Sequence, residues 1–110
     1  MTDKAPRKKR SDRTHIIYRI DTKDGFYIGL TAKTQDTVDK SVRYRFGKHL
    51  SRAIREDKPW NLYKSLKTSL LGRKQYPISI HVLTTVRGKA AAHTLERELI
   101  AQYAPTLNTF

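Results

Sequence analysis

Two short runs of β-forming residues, separated only by Lys23-Asp24-Gly25, constrain this chain more than any other feature. In His15-Ile16-Ile17-Tyr18-Arg19-Ile20-Asp21, residues Ile16, Tyr18 and Ile20 alternate with His15, Arg19 and Asp21, apart from an apolar Ile17. Alternation at period two, rich in β-branched and aromatic residues, predicts a strand with one face on a core. Asp24 pairs readily with nearby backbone and Gly25 tolerates positive φ, so the intervening residues read as a turn. Phe26 to Thr31 is then the returning strand of a hairpin. Gly29 inside it offers no side chain, which often marks a close approach by another group. A lone hairpin is marginal in water, so the remaining residues must cover it.

Residues 38 to 56 carry Val42, Phe46, Leu50, Ala53 and Ile54 at helical spacing, which predicts a first helix that Pro59 helps to end. Leu62, Tyr63, Leu66 and Leu70 argue for a second helix stopped by Gly72. Ile78 to Val86 is a β-branched run and predicts a third strand. Ala90 to Tyr103 reads as a third helix, closed by Ala104-Pro105. The order β-β-α-α-β-α implies an α+β fold: a small, mainly antiparallel three-stranded sheet flanked by three helices. Residues 1 to 14 contain almost no apolar side chain and are rich in Lys and Arg. Such a segment cannot offset its ordering entropy by burial, so it is predicted to be a disordered basic tail ahead of one domain over 15 to 110.

Charge narrows the partners. The 110 residues hold 23 Lys and Arg against 10 Asp and Glu, a formal net charge of +13. From Lys58 to Leu95 no acidic residue occurs. A field this positive favours polyanions, nucleic acid first and an anionic membrane second. A membrane-surface protein would need a basic amphipathic helix with aromatic anchors, which is missing. Cysteine is absent, which excludes disulfides, zinc-thiolate sites and a thiol nucleophile. Neither a spanning apolar run nor a signal peptide is present, and a cytoplasmic location is expected. Without a Walker-type loop or a GxGxxG stretch, no nucleotide cofactor is implied. The tail, with Arg7, Lys8, Lys9, Arg10 and Arg13, suits solubilisation, contact with a nucleic-acid backbone, or a nuclear import signal.

Glu96 is the most informative single residue. At about 100° per residue, Leu95, Leu99, Ala92 and Tyr103 share one side of the third helix, with Ile100 at its edge. Glu96 falls inside that sector, whereas Glu98 falls outside it. Carboxylates are rarely buried unless paired or bound to metal. Glu96 therefore pairs with an Arg across the core, or it is a metal ligand or catalytic carboxylate. On the first helix, Arg45 and His49 are neighbours at i and i+4 beside the apolar stripe, with Arg52 and Glu56 on the same flank. That is a solvated basic face, or a cation aimed at a bound phosphate. Tyr18 and Tyr27, one per hairpin strand, are packing residues or chemistry. His15 and His81 read as ordinary strand residues, since the four histidines show no metal-ligand spacing.

Taken in order, these pieces resemble the GIY-YIG nuclease superfamily. Ile16-Ile17-Tyr18 and Tyr27-Ile28-Gly29 are similar to its two strand motifs. Arg45-Phe-Gly-Lys-His49 resembles the Arg-x-x-x-His of its first helix, and Leu62-Tyr-Lys-Ser-Leu66 with Gly72 its second. Leu95-Glu96-Arg97-Glu98-Leu99-Ile100 is similar to the helix carrying its glutamate, and Pro105-Thr-Leu-Asn108 to its closing Pro-x-x-Asn. Two departures stand out: Ile16 replaces the first Gly, and the turn between the tyrosines is shorter than usual. The resemblance implies a working endonuclease for double-stranded or branched DNA, using one divalent ion, Mg²⁺ or Mn²⁺, held by Glu96. It implies that Arg45 stabilises charge on the phosphoryl oxygens. Tyr18 would orient or deprotonate the attacking water, helped by Tyr27 or His49. Asn108 would fix the metal's water shell or the substrate backbone. Arg43, Lys48, Arg52, Arg55, Lys64, Lys67 and the tail would grip phosphates, giving affinity without sequence readout. A homodimer would be one way to add specificity. A stand-alone domain of this size suits a phage or mobile element, which would place it in the host cytoplasm. The competing reading is a non-catalytic nucleic-acid-binding module.

Overall fold

The computed structural model describes residues 13–56 and 60–108. The predicted tail residues Arg7, Lys8, Lys9 and Arg10, and the helix-ending Pro59, lie outside them. The elements run β1 (Thr14–Thr22), β2 (Gly25–Ala32), α1 (Val38–Arg55), α2 (Asn61–Leu71), β3 (Ser79–Arg87) and α3 (Lys89–Tyr103). The fold is α+β, with the element order that the periodicities predict. All three strands are antiparallel in the order β2-β1-β3, which puts β1 in the centre. Lys23 and Asp24 form the hairpin loop, since Thr22 pairs with Gly25.

The alternation of β1 sorts the two faces. Ile16, Tyr18 and Ile20 are buried with Val42 and Ala53 of α1 and with Leu62, Tyr63 and Leu66 of α2. On the opposite face, Arg19, Ile28, Leu83 and Thr84 lie beside Leu95, Leu99 and Tyr103 of α3. The sheet is thus sandwiched between α1 and α2 on one side and α3 on the other. Ile17, the break in the alternation, is fully buried because α3 covers its face. The register between β1 and β3 shifts at Ile17/Tyr18, where Ile17 pairs with Thr84 but Tyr18 with Val82. Leu83 is the extra residue of that bulge.

Local chemistry sets the ends. The Thr37 hydroxyl accepts from the Lys40 N–H at 3.1 Å and caps α1. Ala104 takes the left-handed conformation that ends α3, and Pro105 prevents the helix from continuing. Ser65 of α2 donates to Asp24 of the hairpin loop at 2.6 Å, tying the second helix to the turn. Two expected core positions are not in the core. Ile54 is 47 % and Tyr103 53 % exposed, although Tyr103 still borders the groove between α3 and the sheet. Among the described residues no helix is long and apolar enough to cross a membrane.

Candidate active site

The sheet alternation and the bend of the chain after α3 converge on one cavity of about 330 Å³. Tyr27 comes from β2, Arg45, His49 and Arg52 from α1, and Trp60, Leu62 and Tyr63 from the start of α2. Glu96 and Ile100 reach it from α3, and Leu107 and Asn108 from the closing segment. Of the six residues expected to carry chemistry, five line this space. Tyr18 is the sixth and lies behind the wall with no exposed surface.

His49 is the hub. Its Nε2 is 2.7 Å from the Tyr18 hydroxyl and its Nδ1 is 3.1 Å from the Tyr63 hydroxyl. Burial, followed by the charges of Arg45 and Arg52, pushes its pKa down from 6.5 to about 4. At neutral pH the ring is therefore uncharged, with one nitrogen donating and the other accepting. Tyr18 and Tyr27 stand diagonally across the hairpin, with ring centroids 6.2 Å apart. Burial and the neighbouring Tyr27 hold the Tyr18 hydroxyl well above the ordinary tyrosine range. Tyr27 is also raised, by burial and then by the Glu96 charge. Both phenols keep their protons at neutral pH.

Gly29 explains how Tyr18 fits. It is paired with Tyr18 across the hairpin, and a Cβ on Gly29 would stand 2.5 Å from both Cζ and the hydroxyl oxygen of that ring. The close approach predicted for this glycine is that of the tyrosine itself.

Glu96 is the carboxylate of the cavity, with 20 % of its side chain exposed. Burial raises its pKa, against smaller opposing effects of His93 and Arg97. The His93 contact is long, 3.9 Å. Of the two alternatives for Glu96, an ion pair with an Arg across the core is not seen among the described residues, where its ion-pair contact is with His93. Arg45, which lines the same cavity, has a buried Nε with no hydrogen-bond partner among the described residues. Buried polar atoms seldom stay unsatisfied, so this N–H has capacity for an acceptor that a bound group would bring. Among the described residues no three His, Asp or Glu side chains group as a metal cage. A divalent ion here would have one protein ligand, Glu96, and would fill its shell with water and substrate oxygens, as Mg²⁺ commonly does. The half-buried, weakly paired carboxylate fits that use.

Asn108 lines the cavity, yet its amide is engaged elsewhere. The Ile28 N–H donates to Asn108 Oδ1 at 3.0 Å, and Asn108 Nδ2 donates to the Ile28 carbonyl at 2.8 Å. Together with the bond from Leu107 N–H to the Phe26 carbonyl, at 3.1 Å, it clamps the outer edge of β2. The other basic residues scatter. Arg43 is ion-paired with Asp39 at 3.1 Å, and Lys48 lies over the Tyr44 ring at 4.8 Å. Lys64 borders a second depression beside the hairpin loop. Arg55 and Lys67 are exposed, while Arg13 is half-buried at the start of β1. Only Arg52 of this group reaches the cavity. Tyr63 and Trp60 were not among the predicted site residues. The one available hint was that a buried imidazole needs two partners, and spacing along the chain does not say which.

No family model, curated protein or solved structure matches the chain.

Proposed function

We propose that this cavity hydrolyses phosphodiester bonds and that the chain is a metal-dependent endonuclease acting on DNA, of the GIY-YIG type its motifs resemble. One observation carries the reading: a weakly paired carboxylate, Glu96, and Arg45, whose buried Nε has no hydrogen-bond partner among the described residues, line the same cavity. A phosphodiester is shielded by its own charge, so neutralisation and positioning dominate its hydrolysis. Arg45 offers paired donors to the non-bridging oxygens. A divalent ion held by Glu96 would supply the remaining positive charge at the phosphate and at the leaving oxygen.

The protonated phenols favour a relay over a tyrosinate base. Tyr27, which faces the cavity, takes a proton from the attacking water as it passes its own to Tyr18 behind it, and the Tyr18 proton moves in turn to the lone pair of His49 Nε2. Tyr63 fixes that tautomer by accepting from His49 Nδ1–H. An incoming phosphate offsets the Arg45 charge, one of the causes holding His49 down, so the imidazole becomes a better base once substrate is bound.

The test is cleavage of plasmid and of branched DNA in Mg²⁺, Mn²⁺ or EDTA, comparing the parent protein with Glu96→Ala. Cleavage should require metal and fall at least about 100-fold in the variant, the upper end of what losing a mere outer-shell partner costs, with DNA binding retained. Tight, salt-sensitive binding without cleavage of plasmid, branched DNA or RNA would instead mean a non-catalytic binding module.

A further inference from the structure

Trp60 is the single tryptophan of the chain, and it forms part of the rim of the catalytic cavity. Its ring is supported by Tyr63, at 5.2 Å between centroids, yet the residue is 45 % exposed. An indole this exposed at a cavity mouth presents a flat, amphipathic ring surface to whatever enters the cavity. Its surroundings are cationic and aromatic: Arg45, Arg52, His49 and Tyr27 line the same space. The helix that starts immediately after it has no side-chain cap and no acidic residue in its first turn, so its positive end adds to that field. A flat π surface beside guanidinium groups matches a nucleotide, whose base stacks while its phosphate is held by charge.

We infer that Trp60 is a stacking platform for an unpaired nucleobase next to the bond that is cut, so that the substrate is DNA with a single-stranded or branched segment rather than continuous duplex. The inference rests on the nuclease reading of the same cavity. In a continuous duplex each base presents its faces only to its neighbours in the stack and its edges to the grooves. An indole face can therefore engage a base only where stacking is already broken or where the base is turned out. The supporting ring of Tyr63 links this platform to His49, so a seated base lies beside the proton relay.

The sole tryptophan makes the test direct. Binding is followed in EDTA by tryptophan emission, using three DNA probes: a fork with unpaired arms, a blunt duplex of the same stem, and the fork with abasic nucleotides at the junction. The fork should quench the emission, whereas the blunt duplex should bind at low salt without comparable quenching and the abasic fork should lose the effect. Trp60→Ala should lower affinity for the fork about tenfold relative to the blunt duplex, the weight of about one stacked base. Trp60→Phe, which keeps a ring, should retain most of the preference and guards against loss of fold, checked by circular dichroism. Equal quenching by fork and blunt duplex overturns the inference. So does an equal loss of affinity for both in Trp60→Ala, or a fork that does not bind. Since no metal is present, the result is independent of cleavage: fork-specific quenching by a protein that cuts nothing would support the platform and remove the nuclease.

Discussion

His49 couples the chemistry of this site to its stability. A histidine held near pKa 4 in the folded chain, against 6.5 when free, stays neutral where the unfolded chain takes up a proton. The stability it contributes is therefore complete above pH 6.5 and is lost as pH falls toward 4. The upper bound is about 3 kcal/mol, from 1.36 kcal/mol per pKa unit. Denaturation across this window should show a shallower pH slope for His49→Gln than for the parent, and equal slopes would refute the assignment. Gly29 is the other residue whose identity is set by one contact. In Gly29→Ala the new methyl must displace the Tyr18 ring, which is fully buried and cannot retreat. Overpacking of this kind costs about 1–3 kcal/mol. It also moves the hydroxyl that meets His49, so cleavage should fall more than the melting temperature alone accounts for. Full activity in a folded Gly29→Ala protein would remove Tyr18 from the mechanism.

Among the elements, β2 is, like β3, an edge strand with β1 as its only strand partner. The closing segment compensates. Asn108 imitates a strand residue by donating to and accepting from Ile28, next to Tyr27. Losing both bonds in Asn108→Ala should cost about 1–2 kcal/mol. Amide exchange at Ile28 should accelerate and cleavage should weaken, since the tyrosine wall loses its brace. Unchanged exchange at Ile28 would show that the clamp does nothing. The element bounds were legible in the sequence to within a residue or two, because turn and breaker chemistry are local: Asp24-Gly25 between β1 and β2, Gly72 after α2, Ala104-Pro105 after α3. The exposure of Ile54 and Tyr103 was not legible. A helical wheel gives an angle about the helix axis but not how far the covering surface extends along it.

At the scale of the molecule the positive charge of the described residues is distributed over several surfaces. Arg52 enters the cavity, while Arg55, Lys64 and Lys67 lie on the outer surfaces of α1 and α2. Affinity for DNA should therefore come mainly from release of counterions. If about six phosphates are neutralised, log K against log salt should fall with a slope of about −5. Titrations of one duplex at several salt concentrations give the slope directly. A value near zero would mean that the net charge of +13 serves solubility instead.

The sequence by itself determined the order of the elements, the hairpin, the need for small size at Gly29 and the anomaly of Glu96 on an apolar helix face. These follow from periodicity and from chemistry between near neighbours, where physical distance tracks distance along the chain. Tertiary structure alone decided the depth and the pairings: that Tyr18 is buried while Tyr27 meets the cavity, that Tyr63 rather than an acidic group holds His49, that Asn108 braces a strand edge, and that Trp60 stands at the mouth. Each depends on how far one element lies over another. Burial sets the protonation of the tyrosines, the imidazole and the glutamate, and burial is a property of the packed whole.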